Sequence, residues 1–284
     1  TEAVVVFVAA KRPLADVPPG ERILPQMHGQ RTDVQEVSFE ACSAVGPLLQ
    51  GDTIGPVDGP QVGTLGLIVP HGREGYAMTN EHVVWADGGV IGNAVRRWQG
   101  EAIGTVSHAV DPSTGIADAA LVRLTGPGPA PTGGLTASAG TAGGGAGGRT
   151  LAHAWDLGIR DRPGYVRRTA AATLGLRCWK VGRTTGYTEA VVGAVDVSIL
   201  VSFGSRGGWR FHGQVVLRPV DGKLGIARSG ESGAVWCEGD AAVALLFATD
   251  LAHVGSYVVS TPLITVLPHL LGPAWRQWSP LFRG

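Results

Sequence analysis

Glycine punctuates this chain so densely that long helices have little room. Of its 284 residues, 44 are Gly and 18 are Pro, and a backbone broken that often favours many short strands joined by turns. From Gly63 the runs between turns are short and β-type: GTLGLIVP, GYAMTNEHVVW, EAIGTVSHAV and ADAALVRL. They outline a small antiparallel barrel. A second series follows later, TLGLRCWKVG, YTEAVVGAVDVSIL, WRFHGQVVLR, GAVWCE, AAVALLFAT and SYVVS. Between the two, residues 126–149 have no apolar periodicity and read as a flexible connection. At the start, AVVVFVAA (3–10) predicts a buried strand, followed by a proline-interrupted connection and a second extended stretch over 32–39. The closing TPLITVLPHLLG is long enough for one helix, which Pro268 is expected to interrupt or distort. No fixed-period repeat occurs, which argues against a propeller or solenoid. The expected organisation is therefore an extension at 1–50, a barrel at 51–125, a glycine-rich connection at 126–165, and a second barrel with a terminal helix at 166–284.

Composition narrows the function classes. Hydrophobic residues make up 44% of the chain and charged residues 16%, enough apolar material for a buried core. Lys+Arg and Asp+Glu both number 23, so no global field attracts nucleic acid or an anionic membrane, and no nucleic-acid partner is expected. Lysine occurs only at positions 11, 180 and 223, which reads as compositional bias. Cys42, Cys178 and Cys237 form no CxxC arrangement and allow at most one internal disulfide. Cys178 and Cys237 lie in apolar strand patterns, as buried small hydrophobes do. With no HExxH and eight scattered histidines, neither a metal nor a cofactor is expected. GGGAGGRT at 143–150 has the glycine spacing of a phosphate loop, but Arg149 stands where that loop needs lysine and no strand precedes it. The first apolar run is too short to span a bilayer and has no basic residue before it, so no membrane span is expected; the location stays open, with a cytoplasmic one favoured.

Three segments carry chemistry. In GIARSGESGAVW (225–236), Ser232 sits between glycines, which permit close backbone approach on both sides of a nucleophile. In YAMTNEHVVW (76–85), His82 ends an apolar run; in IADAALVRL (116–124), Asp118 opens one. Singly these are a turn serine, a packed histidine and a capping aspartate. Together, the order His82, Asp118, Ser232 is one of the chain orders of a Ser-His-Asp triad.

At this point the sequence resembles the trypsin-like, chymotrypsin-fold serine peptidases of bacterial type. TNEHVV looks like their histidine motif, DAALVRL their aspartate strand and GESG their GDSG. KVGRTTGYT (180–188) is similar to the GRTTG strand and turn of bacterial peptidases such as alpha-lytic protease. The resemblance covers about residues 60–272. It implies an all-β chain of two six-stranded antiparallel barrels with an active-site crevice between them. It also implies a serine endopeptidase acting on a protein or peptide, with His82 as general base and acid, Asp118 holding the tautomer and Ser232 as nucleophile. The N–H groups of Gly230 and Ser232 would form the oxyanion hole. Counting along the resemblance puts Ile226 and Ala227 in the pocket for the residue before the scissile bond, suggesting a small or apolar side chain there. Phe247, Ala248 and Thr249 would be the strand edge that binds extended substrate, although Asp250 beside them would suit a basic residue.

The pattern has departures. Glu231 stands where many members carry Asp; in activated animal enzymes that Asp pairs with a new N-terminus, a switch this chain is not expected to use. Ala234 replaces a second glycine, and the cysteine pairs of secreted members are not evident. The alternatives on the same scaffold are a catalytically silent peptide-binding module and an esterase using the same triad. The 1–50 extension offers a surface for a regulatory partner.

Overall fold

The structure is a computed structural model that describes residues 3–8, 12–36, 48, 50–86, 89–98, 100–125, 166, 168–220, 225–250 and 256–278. Cys42 and the connection at 126–165, with its 143–150 segment, lie outside the described residues. The chain divides into two compact units, Thr1–Ser43 and Ala44–Gly284.

In the first unit, β1 (Ala3–Val8) runs parallel to β3 (Gln30–Glu36), and β2 (Gln26–Met27) pairs antiparallel with β3. The tight turn between β2 and β3 places His28 and Gly29 at φ +53° and +80°, as a two-residue hairpin turn with right-handed strand twist requires. Between β1 and β2 the prolines make two short 3-10 turns, Leu14–Asp16 and Pro19–Glu21.

The second unit holds two antiparallel barrels. The first runs β5 (Gly63–Thr64), β4 (Thr53–Pro56), β8 (Ala94–Arg97), β9 (Ala102–Val110), β10 (Ala119–Leu124), β7 (Glu74–Thr79) and β6 (Leu67–His71) around its sheet. β5 and β6 are two pieces of the single run GTLGLIVP, broken at Leu65–Gly66, so the ring has six strands. The second runs β11 (Arg168–Thr169), β16 (Ala241–Thr249), β15 (Val235–Glu238), β12 (Arg177–Gly182), β13 (Gly186–Ser202), β14 (Gly208–Pro219) and β17 (Val258–Pro262). Pairing of β16 with β17 closes six of these into a ring, and β11 adds a short parallel edge. This is the expected all-β double barrel.

Burial explains the nearly continuous apolar runs. In β6, β7 and β10, Ile68, Ala77, Ala120 and Val122 point into the first barrel. The alternate residues Leu67, Val69, Met78 and Leu121 face a cluster that includes Trp179, Val181, Val235 and Leu245 of the second barrel. Strands with both faces covered lose the polar alternation that a half-exposed strand shows. A third cluster, with Leu217, Trp236, Val243 and Leu246, fills the second barrel.

Several local expectations change. β4 and β8 lie in stretches with few apolar residues and no strand pattern; barrel closure, not periodicity, makes them strands. Pro268 does not interrupt its helix: α2 (Leu263–Leu271) runs through it because Leu263, Val266, Leu267 and Leu270 are buried on one face. Cys178 and Cys237 are free and buried, and burial, with Glu238 nearby, pushes the Cys178 thiol up to about 12. Among the described residues no helix is long and apolar enough to cross a membrane.

Candidate active site

The run expected to end as a strand at His82 turns instead. After β7, Asn80 stays extended and α1 (Glu81–Val84) makes one helical turn. Asp118 supplies the reason. Its Oδ1 accepts the His82 backbone N–H at 3.1 Å, capping a turn too short to satisfy its own donors. Its Oδ2 hydrogen-bonds His82 Nδ1. Asp118 sits fully buried just before β10, and Asn80 Nδ2 donates to its carbonyl at 2.6 Å. One carboxylate thus holds both the backbone and the ring of His82.

Ser232 comes from the loop before β15, and that loop is clamped from both barrels. Thr64 of β5 donates its N–H to Ser232 O at 2.7 Å and its Oγ1 to Gly230 O at 2.9 Å. Thr184 Oγ1 donates to Ser229 O at 2.9 Å, and the Ala234 N–H to Glu231 O at 3.0 Å. A trans peptide carries its N–H opposite its C=O. The N–H groups of Gly230 and Ser232 therefore point away from those acceptors. Gly233 is required here: its φ is +97°, and a Cβ would stand 2.2 Å from Thr64 O.

Glu231, between Gly230 and Ser232, is fully buried and saturated with donors. Its Oε1 accepts the N–H groups of Thr184 and Thr185 at 2.7 and 2.9 Å. Its Oε2 accepts Thr185 Oγ1 at 2.8 Å and pairs with the fully buried Lys180 ammonium, which also donates to Thr185 Oγ1 at 2.9 Å. Burial pushes the Glu231 carboxyl up, but Lys180 and the Thr185 donors outweigh it and hold it below the ordinary carboxylate range. Lys180 is thus a structural cation and not compositional noise. Its signal in the sequence was a lysine within an apolar strand, directly before GRTTG.

His82, Gly230 and Ser232 line one cleft of about 1070 Å³, together with Phe247, Ala248 and Thr249. Ser232 Oγ donates a long bond, 3.4 Å, to Phe247 O; among the described residues no hydrogen bond joins it to His82. Ile226 and Ala227, expected at the substrate pocket, do not line the cleft. They are 3% and 0% exposed and pack in the core of the second barrel. Val216, Leu246 and Val259, on neighbouring strands remote in sequence, are among the apolar residues that line the cleft.

The sequence reading also missed a contact at the histidine. The β13–β14 hairpin brings Arg206 onto Glu81, with Nη1 and Nη2 donating to Oε2 and Oε1 at 2.7 and 2.9 Å. Phe203 lies edge-on to His82, with ring centroids 5.5 Å apart.

No protein-family model and no curated protein matches this sequence. Solved structures do. Thermobifida fusca protease A is 17% identical, with a TM-score of 0.51 over 78% of this chain and 94% of that one. A glutamic acid specific serine protease is 18% identical at TM-score 0.52, over 78% and 96%. Nocardiopsis protease is 16% identical at TM-score 0.52, over 78% and 95%. Likeness at such identities speaks for architecture, and on that ground the chain has the double-barrel chymotrypsin fold of bacterial serine proteases.

Proposed function

We propose that the chain is a serine endopeptidase that cleaves peptide bonds through an acyl-enzyme on Ser232. The observation that carries this reading is the double hold of buried Asp118 on His82, in a cleft that Ser232 shares. With Nδ1 engaged by Asp118, Nε2 is the nitrogen left to take the Ser232 proton as Oγ attacks the substrate carbonyl. The carbonyl oxygen gains negative charge, which the Gly230 and Ser232 N–H groups would receive. His82 then gives its proton to the leaving amine, and the C–N bond breaks. Water enters by the reverse sequence and frees Ser232. Asp118 keeps the imidazole in the right tautomer and balances the imidazolium.

Substrate would lie along Phe247–Thr249. On that side of β16 the last main-chain bonds are Gly233 N–H to Leu246 O and Leu246 N–H to Ala234 O, both 2.9 Å, and Phe247–Thr249 beyond them line the cleft, where extended main chain could add. The Val216, Leu246 and Val259 wall suits a small or apolar side chain before the scissile bond. Profiling against a peptide library is expected to show that preference, and strict Arg or Lys preference would contradict it.

The 3.4 Å bond from Ser232 to Phe247, in place of one to His82, favours the second reading, a catalytically silent peptide-binding module. Catalytic hydrogen bonds often tighten only when substrate is bound. A fluorophosphonate probe decides between the two. Labelling at Ser232 that disappears in Ser232→Ala and His82→Ala establishes an activated nucleophile; absence of labelling in the folded chain, and in one truncated of residues 1–50, counts against the peptidase and for the binding module.

A further inference from the structure

The β13–β14 hairpin is longer than its barrel needs. β12 pairs with β13 only as far as Val191, and β17 pairs with β14 only from Val215 to Leu217. Beyond those points the two arms pair mainly with each other, from Val197 opposite Gln214 to Ser202 opposite Gly208. This projecting part leans on the first barrel. His212 donates its N–H to Gly115 O at 3.1 Å, and Gln214 Nε2 donates to Ile116 O at 3.1 Å. The tip, Phe203–Gly207, is closed by the Phe203 N–H on Gly207 O at 2.8 Å and meets the histidine turn.

The contact there is built, not incidental. Glu81 precedes His82 in the chain and is 2% exposed. Arg206 meets it in the parallel, two-bond geometry that a guanidinium offers a carboxylate. The same guanidinium lies 4.8 Å over the Trp85 ring and 5.6 Å from that of Trp209, stacked as well as paired. Phe203, three residues before Arg206, then rests its ring against the imidazole. A carboxylate buried this deeply needs a partner. Burial pushes the Glu81 carboxyl up and Arg206 pulls against it, with Asp118 and Asp111 pushing up as well.

We infer that Arg206 is a positioning residue: by clamping Glu81, the hairpin tip of the second barrel holds the histidine turn of the first and sets the place of His82. The inference rests on the proposed role of His82 as base.

Both halves of the clamp should be needed to keep His82 in place. The experiment records the His82 ring-proton signals in the full chain, assigned by their loss in His82→Ala. In Arg206→Gln and in Glu81→Gln they should leave the position that the Phe203 ring imposes, and in the double variant they should move little further than in either single one. Unchanged signals in folded variants overturn the clamp.

The double variant leaves no unpaired charge and serves if a single variant does not fold. Its His82 ring-proton signals should leave the position that the Phe203 ring imposes, and unchanged signals overturn the clamp. Arg206→Lys, which keeps the charge without the fork, should slow fluorophosphonate labelling several-fold, and Arg206→Gln should slow it more. Unmoved ring signals with intact labelling defeat this inference alone. Lack of labelling in the unsubstituted chain counts against the peptidase reading and leaves the ring signals to judge the clamp.

Discussion

Asp118→Asn is expected to lower the rate at which Ser232 is acylated by about 10⁴-fold while leaving the barrels folded. The size follows from what the carboxylate does. Its Oδ1 accepts the backbone N–H of His82 and its Oδ2 the ring Nδ1–H, so both oxygens act only as acceptors. An amide of the same shape offers one acceptor and one donor. If its oxygen stays on the backbone N–H, its NH₂ faces Nδ1. The imidazole must then carry its proton on Nε2, where it cannot take one from serine. If the amide turns over, the cap on α1 is lost instead. Asp118 is completely buried, so water does not readily rescue either arrangement. Stopped-flow acylation with an activated ester, alongside a thermal melt, checks the result. Acylation within tenfold of the starting rate would show that His82 does not depend on Asp118. Asp118→Ala should be no better and should also lose stability, because the turn loses its cap.

Breaking the Lys180–Glu231 pair is expected to have the largest effect on stability. Both side chains are at 0% exposure, and removing one partner from such a pair typically costs about 3–5 kcal/mol, because the survivor is left charged and unsolvated. Lys180→Met should therefore lower the melting temperature by on the order of 10 °C. The effect should reach the site too, since Glu231 is the peptide link between the two N–H groups proposed for the oxyanion hole. Thr184 and Thr185, which clamp the loop through Glu231 and Ser229, would lose their common partner in Glu231→Leu. The double variant Lys180→Met/Glu231→Leu, with no charge left to bury, should recover much of the stability but not the labelling rate. Stability recovered together with full labelling would mean that the pair does not order the loop.

The same pair has a pH signature. Glu231 is held below the ordinary carboxylate range in the fold, so the unfolded chain takes up its proton first as pH falls. Its contribution is complete above the ordinary carboxylate value and is lost as pH drops through the lowered one. Acid unfolding of the native chain should therefore flatten in Glu231→Leu, as followed by circular dichroism between neutral pH and the acid transition.

How much of this was readable in advance differs from element to element. Runs such as AAVALLFAT and ADAALVRL announce strands because nearly every side chain in them is buried on one face or the other. The short β4 and β8 strands carry little pattern, since their place comes from hydrogen bonds to neighbours that close the ring. His82, Asp118 and Ser232 stood out as residue types next to turns or apolar runs, and local chemistry suffices for that. Ile226 was less legible, because a position six residues before the serine is a count along one loop, and in the fold it is buried in the core of the second barrel.

What the sequence by itself determined is the alternation of short apolar runs and glycine turns, and with it the all-β class and the chain order of His82, Asp118 and Ser232. These are local properties: periodicity and turn chemistry act within a few residues. Only the tertiary structure decided that Lys180 would neutralise Glu231, that Thr64 would pin the serine loop, and that Arg206 would reach Glu81. Each joins positions 51, 166 or 168, and 125 residues apart. Burial is what gives such contacts their force, because a charge or carbonyl removed from water must find its partner wherever the fold brings one near.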